Sequence, residues 1–152
     1  MDAPAIIAVD HLSKRYGHKG PLAVDGVSFS VRRGQVFGLI GPDGAGKTSV
    51  IQVLAGVLSA DGGDASVGGV SAVSDPEAVK ARIGYMPQGL GQNLYDTLTV
   101  AENIAFFRDL RLIPESRFRE NRDRLLAMTR LAPFLDRPAG KLSGGMRQKL
   151  AL

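Results

Sequence analysis

The sequence has 152 residues, of which 44% are hydrophobic and 22% are charged, and its formal net charge is +4. These values are typical of one globular domain that is long enough to bury a hydrophobic core. The mild positive charge suits an anionic ligand but is too weak to indicate a nucleic acid partner. Since the sequence contains no Cys, disulfides and zinc sites with Cys ligands are excluded.

The sequence indicates neither a membrane span nor a metal site built from histidines. Its apolar runs are shorter than the ~20 residues that cross a bilayer, and its acidic start is unlike a signal peptide. We therefore expect a cytoplasmic protein. The two histidines, His11 and His18, flank an expected turn, and we predict that they are exposed loop residues rather than metal ligands.

The first forty residues predict a small antiparallel β region that leads into a core strand. Residues 6–9 form a short apolar run, and in residues 22–31 apolar and serine side chains alternate as in a half-buried strand. A turn at Arg32, Arg33 and Gly34 then precedes the apolar run of residues 35–40. That run predicts a buried strand.

A glycine-rich stretch at residues 41–48, GPDGAGKT, fits the phosphate-binding P-loop pattern G-x-x-x-x-G-K-[ST]. Glycines let backbone N–H groups approach phosphate oxygens in front of the positive end of a helix. We therefore predict that Lys47 reaches the β- and γ-phosphates and that Thr48 joins a Mg²⁺ shell. The alternative is a plain glycine turn into a helix, which the flanking strand and helix patterns disfavour. The predicted helix carries its apolar face on Val50, Ile51, Val53, Leu54, Val57 and Leu58.

The middle of the chain predicts shorter elements. Breakers at Gly56 and at residues 59–63 end the P-loop helix, and residues 65–70 form a weak, glycine-interrupted strand. A short helix begins at Pro76 and runs to about residue 81. Residues 83–86 are a second candidate core strand.

The last third of the chain predicts helices. Thr99 and Glu102 have the spacing of a capping box and start a helix that ends before Pro114. A charged helix follows over residues 115–131, and Ser143 caps a final helix. The elements together predict an α/β fold, which is a partial P-loop NTPase core with an N-terminal antiparallel β region and an all-helical subdomain. We place these parts in residues 35–97, 1–34 and 98–152, respectively.

A second motif opens the final helix. A polar cap followed by two glycines exposes backbone N–H groups, as the P-loop does, and by itself favours an ordinary capped helix start. We call this segment the signature segment, and its residues are Leu142, Ser143, Gly144, Gly145 and Met146.

The P-loop followed by this segment resembles the ATP-binding subunit of ABC transporters along the whole chain. The resemblance implies ATP and Mg²⁺ as ligands, and a second ABC ATPase domain whose ATP the signature segment completes in trans. It implies that Lys47 and Gln88 are the catalytic residues and that Thr48 and Gln88 hold the metal. The nucleotide-binding residues that it implies are Tyr16, Gly41, Pro42, Asp43, Gly44, Ala45, Gly46, Lys47, Thr48 and Ser49.

Two of these implied residues have simpler alternatives. Tyr16 matches the family's aromatic residue that stacks on adenine, but a tyrosine at this turn could also pack on the strand pair. Gln88 matches the family's Q-loop glutamine, whose carbonyl can join a Mg²⁺ shell, but it could also be a solvated loop amide.

The chain departs from the family pattern at two positions, where Asp43 replaces Asn and Met146 replaces Gln. Residues 41–44, 86–95 and 136–141 resemble the fused bacterial ATPases of the ABC-2 exporter type, a group that includes ribosome-associated members. No residues match the family's later Asp-Glu strand or histidine switch. The resemblance therefore implies a fragment, truncated after the signature segment, that binds nucleotide weakly and hydrolyses ATP only at background rate.

The function that the resemblance implies is ATP binding, and hydrolysis in the full-length protein, that energises export. A permease would then hold the protein at the inner face of the bacterial cytoplasmic membrane. The alternative is a ribosome-associated ATPase that acts in translation. The arginine-rich residues 117–130 predict a solvated helix face, with a ribosome or nucleic acid contact as the alternative. A DNA-repair or chromosome-organising ATPase is disfavoured because the segment between the two motifs is short and lacks Cys.

Overall fold

The computed structural model describes residues 5–17, 20–89 and 94–152. They form two compact units, of which one ends at Tyr85 and the other begins at Met86. The predicted division into residues 1–34, 35–97 and 98–152 stays a prediction. Among the described residues, the helices are all too short or too polar to cross a membrane.

An antiparallel sheet of four strands is the main layer of the first unit. The expected N-terminal β region is therefore present, and the weak strand predicted over residues 65–70 is a hairpin that turns at Gly68 and Gly69. The order of the strands in the sheet is β2-β1-β3-β4. The strands are β1 (Ala5–Arg15), β2 (Leu22–Arg32), β3 (Gly62–Val67) and β4 (Val70–Ser71).

Strand β1 is longer than the predicted run of residues 6–9 because its second half is polar and lacks an apolar signal. The pairing with β2 shifts register between Val9 and Leu12, and His11 has φ 47° at that point. Such an irregularity is a β-bulge, which re-aims the strand without ending it. The prediction that His11 lies in a loop is therefore wrong, although its side chain is exposed as expected. His18 lies outside the described residues.

The core of the first unit lies between the sheet and two helices, α1 (Lys47–Leu54) and α2 (Pro76–Lys80). Asp75 caps α2 by accepting a hydrogen bond from the amide of Ala78 at 3.1 Å. The side chains of the core come from both layers, and they are Val9, Leu12, Val24, Val50, Val53, Ala65, Ala72 and Val79.

Helix α1 is shorter than its apolar pattern predicts. It ends at Leu54, and Gly56 follows with φ 69°. A Cβ at Gly56 would lie 2.8 Å from the carbonyl oxygen of Pro76, so this turn needs glycine both for its dihedral angle and for space. The placement of Val57 and Leu58 on the helical face is therefore wrong.

The two predicted core strands at residues 35–40 and 83–86 do not form strands among the described residues. A strand needs a neighbour to which its N–H and C=O groups donate and accept, and the described sheet pairs with neither segment. Leu39 and Ile83 still pack against the core, whereas Val36 and Ile40 are almost completely exposed. The prediction of two strands is therefore wrong, and the predicted burial is present only in part.

The second unit is helical, as predicted. Its helices are α3 (Val100–Leu110), α4 (Glu115–Thr129) and α5 (Gly144–Ala151), with single 3₁₀ turns at Ala132–Phe134 and Ala139–Lys141. The capping box of Thr99 and Glu102 is present at the start of α3. Helix α4 ends two residues earlier than predicted because Arg130 adopts φ 57° and closes it.

Candidate nucleotide-binding site

The P-loop forms a turn that ends in the first residue of α1. Gly44 and Gly46 have φ 82° and 81°, a region that side chains disfavour. A Cβ at Gly46 would lie 2.1 Å from the carbonyl oxygen of Ala23 in β2. The strand therefore fixes the loop by direct backbone contact, and only glycine fits at this position.

Lys47 folds back over the loop that precedes it. Its Nζ donates hydrogen bonds to the carbonyl oxygens of Gly41 at 2.7 Å and Pro42 at 2.6 Å. The start of α1 has no side-chain cap, so the first N–H groups of the helix are left to other acceptors. An ammonium beside uncapped N–H groups at a helix N-terminus is a donor set that fits a phosphate chain.

Tyr16 lies beside the first turn of the P-loop helix. Its hydroxyl is 3.0 Å from the Oγ of Ser49. Ser49 is buried, whereas Tyr16 is 52% exposed. The Nζ of Lys14 lies over the ring, 6.0 Å from its centroid. The described structure thus places an aromatic ring, half open to solvent, next to the loop that the sequence assigns to phosphate.

An ion pair between a buried lysine and a half-exposed aspartate supports this corner of the sheet. Lys14 is only 7% exposed, and its Nζ lies 3.2 Å from the Oδ2 of Asp61. The same oxygen accepts a hydrogen bond from the amide of Arg15 at 2.7 Å. That amide, followed by the Lys14 ammonium, holds the pKa of Asp61 below its ordinary value.

The signature segment starts helix α5. Ser143 caps the helix by accepting a hydrogen bond from the amide of Met146 at 3.4 Å. Leu142 is buried, whereas Gly144 and Gly145 are exposed and would have open space around an added Cβ. The segment is therefore anchored by its leucine and presents its serine and glycines to solvent.

An ion pair anchors α5 within the helical unit. The Nη1 of Arg147 lies 2.6 Å from the Oδ1 of Asp96 and donates to the carbonyl oxygen of Ala139 at 3.0 Å. The amide of Gly140 donates to the carbonyl oxygen of Asp96 at 3.0 Å. The turn before the signature segment is therefore tied to the loop that precedes α3.

A buried amide organises that loop. Asn103 is 1% exposed, and its Oδ1 accepts from the amide of Tyr95 at 2.9 Å. Its Nδ2 lies within hydrogen-bond distance of three carbonyl oxygens, those of Tyr95, Leu98 and Thr99. The buried side chain is thus fully hydrogen-bonded, as buried polar groups require, and it adds a second bond to carbonyl oxygens that already accept backbone amides.

A model of the ABC transporter family matches residues 24–152 of this chain. The chain belongs to the ABC transporter family. It is 45% identical over 148 residues to a probable multidrug ABC transporter ATP-binding protein, YbhF, of Escherichia coli (strain K12), with 97% of this chain and 25% of that protein covered. It is 40% identical to the Nod factor export ATP-binding protein I of Ralstonia nicotianae, with 97% and 44% covered. The chain thus spans between a quarter and a half of the length of these relatives.

Solved structures of ABC ATPases have the same fold. The structure of cbiO1 from Clostridium perfringens, described as part of the ABC transporter complex cbiONQ, superposes with TM-score 0.82 at 24% identity and covers 97% of this chain and 59% of that one. An ATP-binding subunit of an ABC transporter superposes with TM-score 0.80 at 28% identity, with 96% and 59% covered. The predicted α/β fold class and the resemblance to ABC ATP-binding subunits are confirmed.

The roles that the ABC resemblance implies for single residues stay predictions. The P-loop, Tyr16 and Ser49 lie together in the first unit, whereas Gln88 and the signature segment lie in the second. Gln88 is an exposed loop residue, and Asp43 is exposed in the P-loop turn. Residues 90–93 of the exporter-like stretch lie outside the described residues.

Sequence reasoning missed the residues that support, each within its own unit, the P-loop and the signature segment. Lys14 and Asp61 belong to no pattern, and they come together only because β1 and β3 pair. The pair of Arg147 with Asp96 was missed because these residues are far apart in the sequence. Asn103 bonds residues close to it in the sequence, but no motif marks it. One weak signal existed for Lys14, because it lies in the polar second half of β1, two residues before Tyr16.

Proposed function

We propose that this chain is an ATP-binding domain that energises export through a membrane transporter. The observation that carries the proposal is the P-loop, in which Lys47 lies over the loop carbonyls and α1 begins without a side-chain cap. The names of the relatives, a probable multidrug ATP-binding protein and a Nod factor export ATP-binding protein, support the export part.

The ligand contacts follow from the chemistry of each group. The N–H groups of the P-loop and the Lys47 ammonium bind the β- and γ-phosphates, and Tyr16 offers its ring to adenine. Thr48 offers a hydroxyl oxygen and Gln88 an amide oxygen, both of them hard ligands of the kind that Mg²⁺ prefers. When bound, Mg²⁺ would neutralise part of the phosphate charge.

A second ATPase domain completes the proposed site. Ser143, Gly144 and Gly145 are exposed at the start of α5, and the glycines have open space around them. Backbone N–H groups at a helix start attract anions. The signature segment of one domain therefore faces the phosphates held by the P-loop of another.

The test is affinity capture of the natural full-length protein from detergent-solubilised membranes, followed by mass spectrometry and ATPase assay of the captured complex. We expect an integral membrane protein in the complex and an ATPase activity that Lys47→Ala abolishes. Lys80→Ala is the matched control. Lys80 is a half-exposed lysine, and in the described part of the chain its ion pair is with Glu77.

The same experiment decides between the two predicted roles. Capture of ribosomal proteins in place of a membrane protein would overturn the export proposal and favour the translation role. An ATPase activity that is equal in wild type and Lys47→Ala would remove the P-loop from the proposed mechanism.

A further inference from the structure

The segment that carries Tyr16 is held in place by hydrogen bonds with Asp61, which lies far away in the sequence. Tyr16 follows the last residue of β1, and Asp61 precedes the first residue of β3. The Asp61 carboxylate accepts from the amide of Arg15 at 2.7 Å, and the Asp61 amide donates to the carbonyl oxygen of Ser13 at 2.9 Å. Asp61 therefore closes the β1–β3 ladder one residue before the ring.

The Asp61 carboxylate is also linked to the Tyr16 ring through the ammonium of Lys14. The Nζ of Lys14 lies 3.2 Å from the Asp61 Oδ2 and 6.0 Å from the Tyr16 ring centroid. A cation over a ring face is attracted by the ring electrons, more strongly where water is excluded, and Lys14 is buried. Asp61 thus pairs with the ammonium that lies over the ring.

Two further contacts hold Tyr16 and its neighbour Arg15 in place. The Tyr16 hydroxyl is 3.0 Å from the Ser49 Oγ, which ties the ring to the P-loop helix. The guanidinium of Arg15, the residue before Tyr16, donates a hydrogen bond to the carbonyl oxygen of Gly20. With 52% of Tyr16 still exposed, the ring is held at a set distance from the P-loop while part of it stays open.

We propose that Asp61 is a positioning residue that holds Tyr16, through Lys14 and the Arg15 amide, as a preformed platform for a nucleotide base. The inference rests on the proposed function, since it assumes that the P-loop binds the phosphates of the same nucleotide. A ring that is ordered before binding loses less conformational freedom when the base stacks on it. Asp61 thus raises the affinity for a ligand that carries a base, relative to one with phosphates alone, although Asp61 does not contact the ligand.

The test compares two ligands of the natural full-length protein, MgATP and magnesium tripolyphosphate, which has the phosphates without the base. The quantity measured is the ratio of their affinities. We expect Tyr16→Ala to lower the ratio by about fivefold to a hundredfold, the value of a lost stack. Asp61→Ala should lower it by about two- to tenfold, and Asp61→Asn, which keeps an acceptor for the Arg15 amide, should lower it less.

A role in positioning gives a distinct pattern. Asp61→Ala should leave the tripolyphosphate affinity unchanged and should add no further loss in a Tyr16→Ala background, because both changes remove one platform. The matched control is Glu77→Gln, which removes the exposed ion pair of Glu77 with Lys80 at 2.6 Å and should change neither affinity.

Three results would overturn the inference. The first is a ratio unchanged in both Asp61 variants, and the second is an equal loss of both ligands, which indicates a merely structural role. The third is a wild-type protein that binds neither ligand, a result that overturns the proposed function itself and is thereby distinguished from the other two. If Asp61→Ala does not fold, Asp61→Asn decides between the same outcomes.

Discussion

Two helices of this chain have glycines at their starts, and the first turns of these helices differ in how they are capped. Helix α1 follows Gly46, which is left-handed, crowded by β2 and without a side-chain cap. Helix α5 follows Ser143, which is extended and caps the helix itself, and its glycines have open space. The first helix start leaves its N–H groups without a side-chain acceptor, in a loop that β2 fixes. The second caps its Met146 amide with its own serine and has exposed glycines beside the cap.

The largest effect expected from this comparison is that of Gly46→Ala. The added Cβ meets the Ala23 carbonyl at 2.1 Å and forces a side chain into a left-handed backbone, so we expect about 3 kcal/mol of lost stability. Gly145→Ala should instead be neutral or stabilise by up to about 1 kcal/mol, since alanine favours helices and the space is open. Urea unfolding measures both. Equal losses in the two variants would contradict the comparison.

Asn103→Ala should come next in size. The Asn103 amide bonds the backbone of the loop to which the turn before α5 is tied. Its removal takes the acceptor from the Tyr95 amide and one of two hydrogen bonds from the carbonyl oxygens of Tyr95, Leu98 and Thr99. We expect a loss of about 2 kcal/mol in the free energy of unfolding. Asn121→Ala, at an exposed position of α4, is the control and should change it by less than about 0.5 kcal/mol. A similarly small effect at Asn103 would mean that this network does not stabilise the helical unit.

Ser143→Ala sharpens the contrast between the two helix starts. It removes the side chain that caps α5 by accepting from the Met146 amide, so we expect a loss of about 1 kcal/mol. Ser143→Gly should lose only a few tenths of a kcal/mol, because glycine tolerates the cap position. Thermal unfolding of both variants measures the difference. If alanine and glycine behave alike, the hydroxyl is not the cap.

The smallest effect expected is a pH dependence at a third helix start, that of α3. Hydrogen bonds from the Thr99 amide and then from its hydroxyl hold the pKa of Glu102 below its ordinary value. A lowered pKa in the folded state means that the charged carboxylate stabilises the fold above the unfolded pKa. This contribution is lost as the pH falls below about 4. Glu102→Gln should therefore flatten the acid side of the stability curve, and an unchanged curve would contradict the assignment.

Local patterns were sufficient for the helix starts. The P-loop, the Thr99–Glu102 capping box and the Ser143 cap each depend on residues within one or two turns, so the sequence alone specifies them. The antiparallel β region followed from the alternation in residues 22–31. These features also carry most of the candidate site.

Features that depend on distant partners could not be predicted. The apolar runs at residues 35–40 and 83–86 have strand composition, but a strand also needs a neighbour, which no local pattern specifies. Lys14 meets Asp61 only through the pairing of β1 with β3. The same holds for Arg147 and Asp96, which are separated by two helices.

The central claim, that the crowded glycine loop before α1 is the phosphate cradle, is tested most directly by the MgATP affinity of Lys47→Ala. Loss of one charged donor should weaken binding by about tenfold to a hundredfold. Lys80→Ala, which removes a lysine of the same charge from α2, should bind like wild type. An affinity of Lys47→Ala equal to that of wild type would contradict the account.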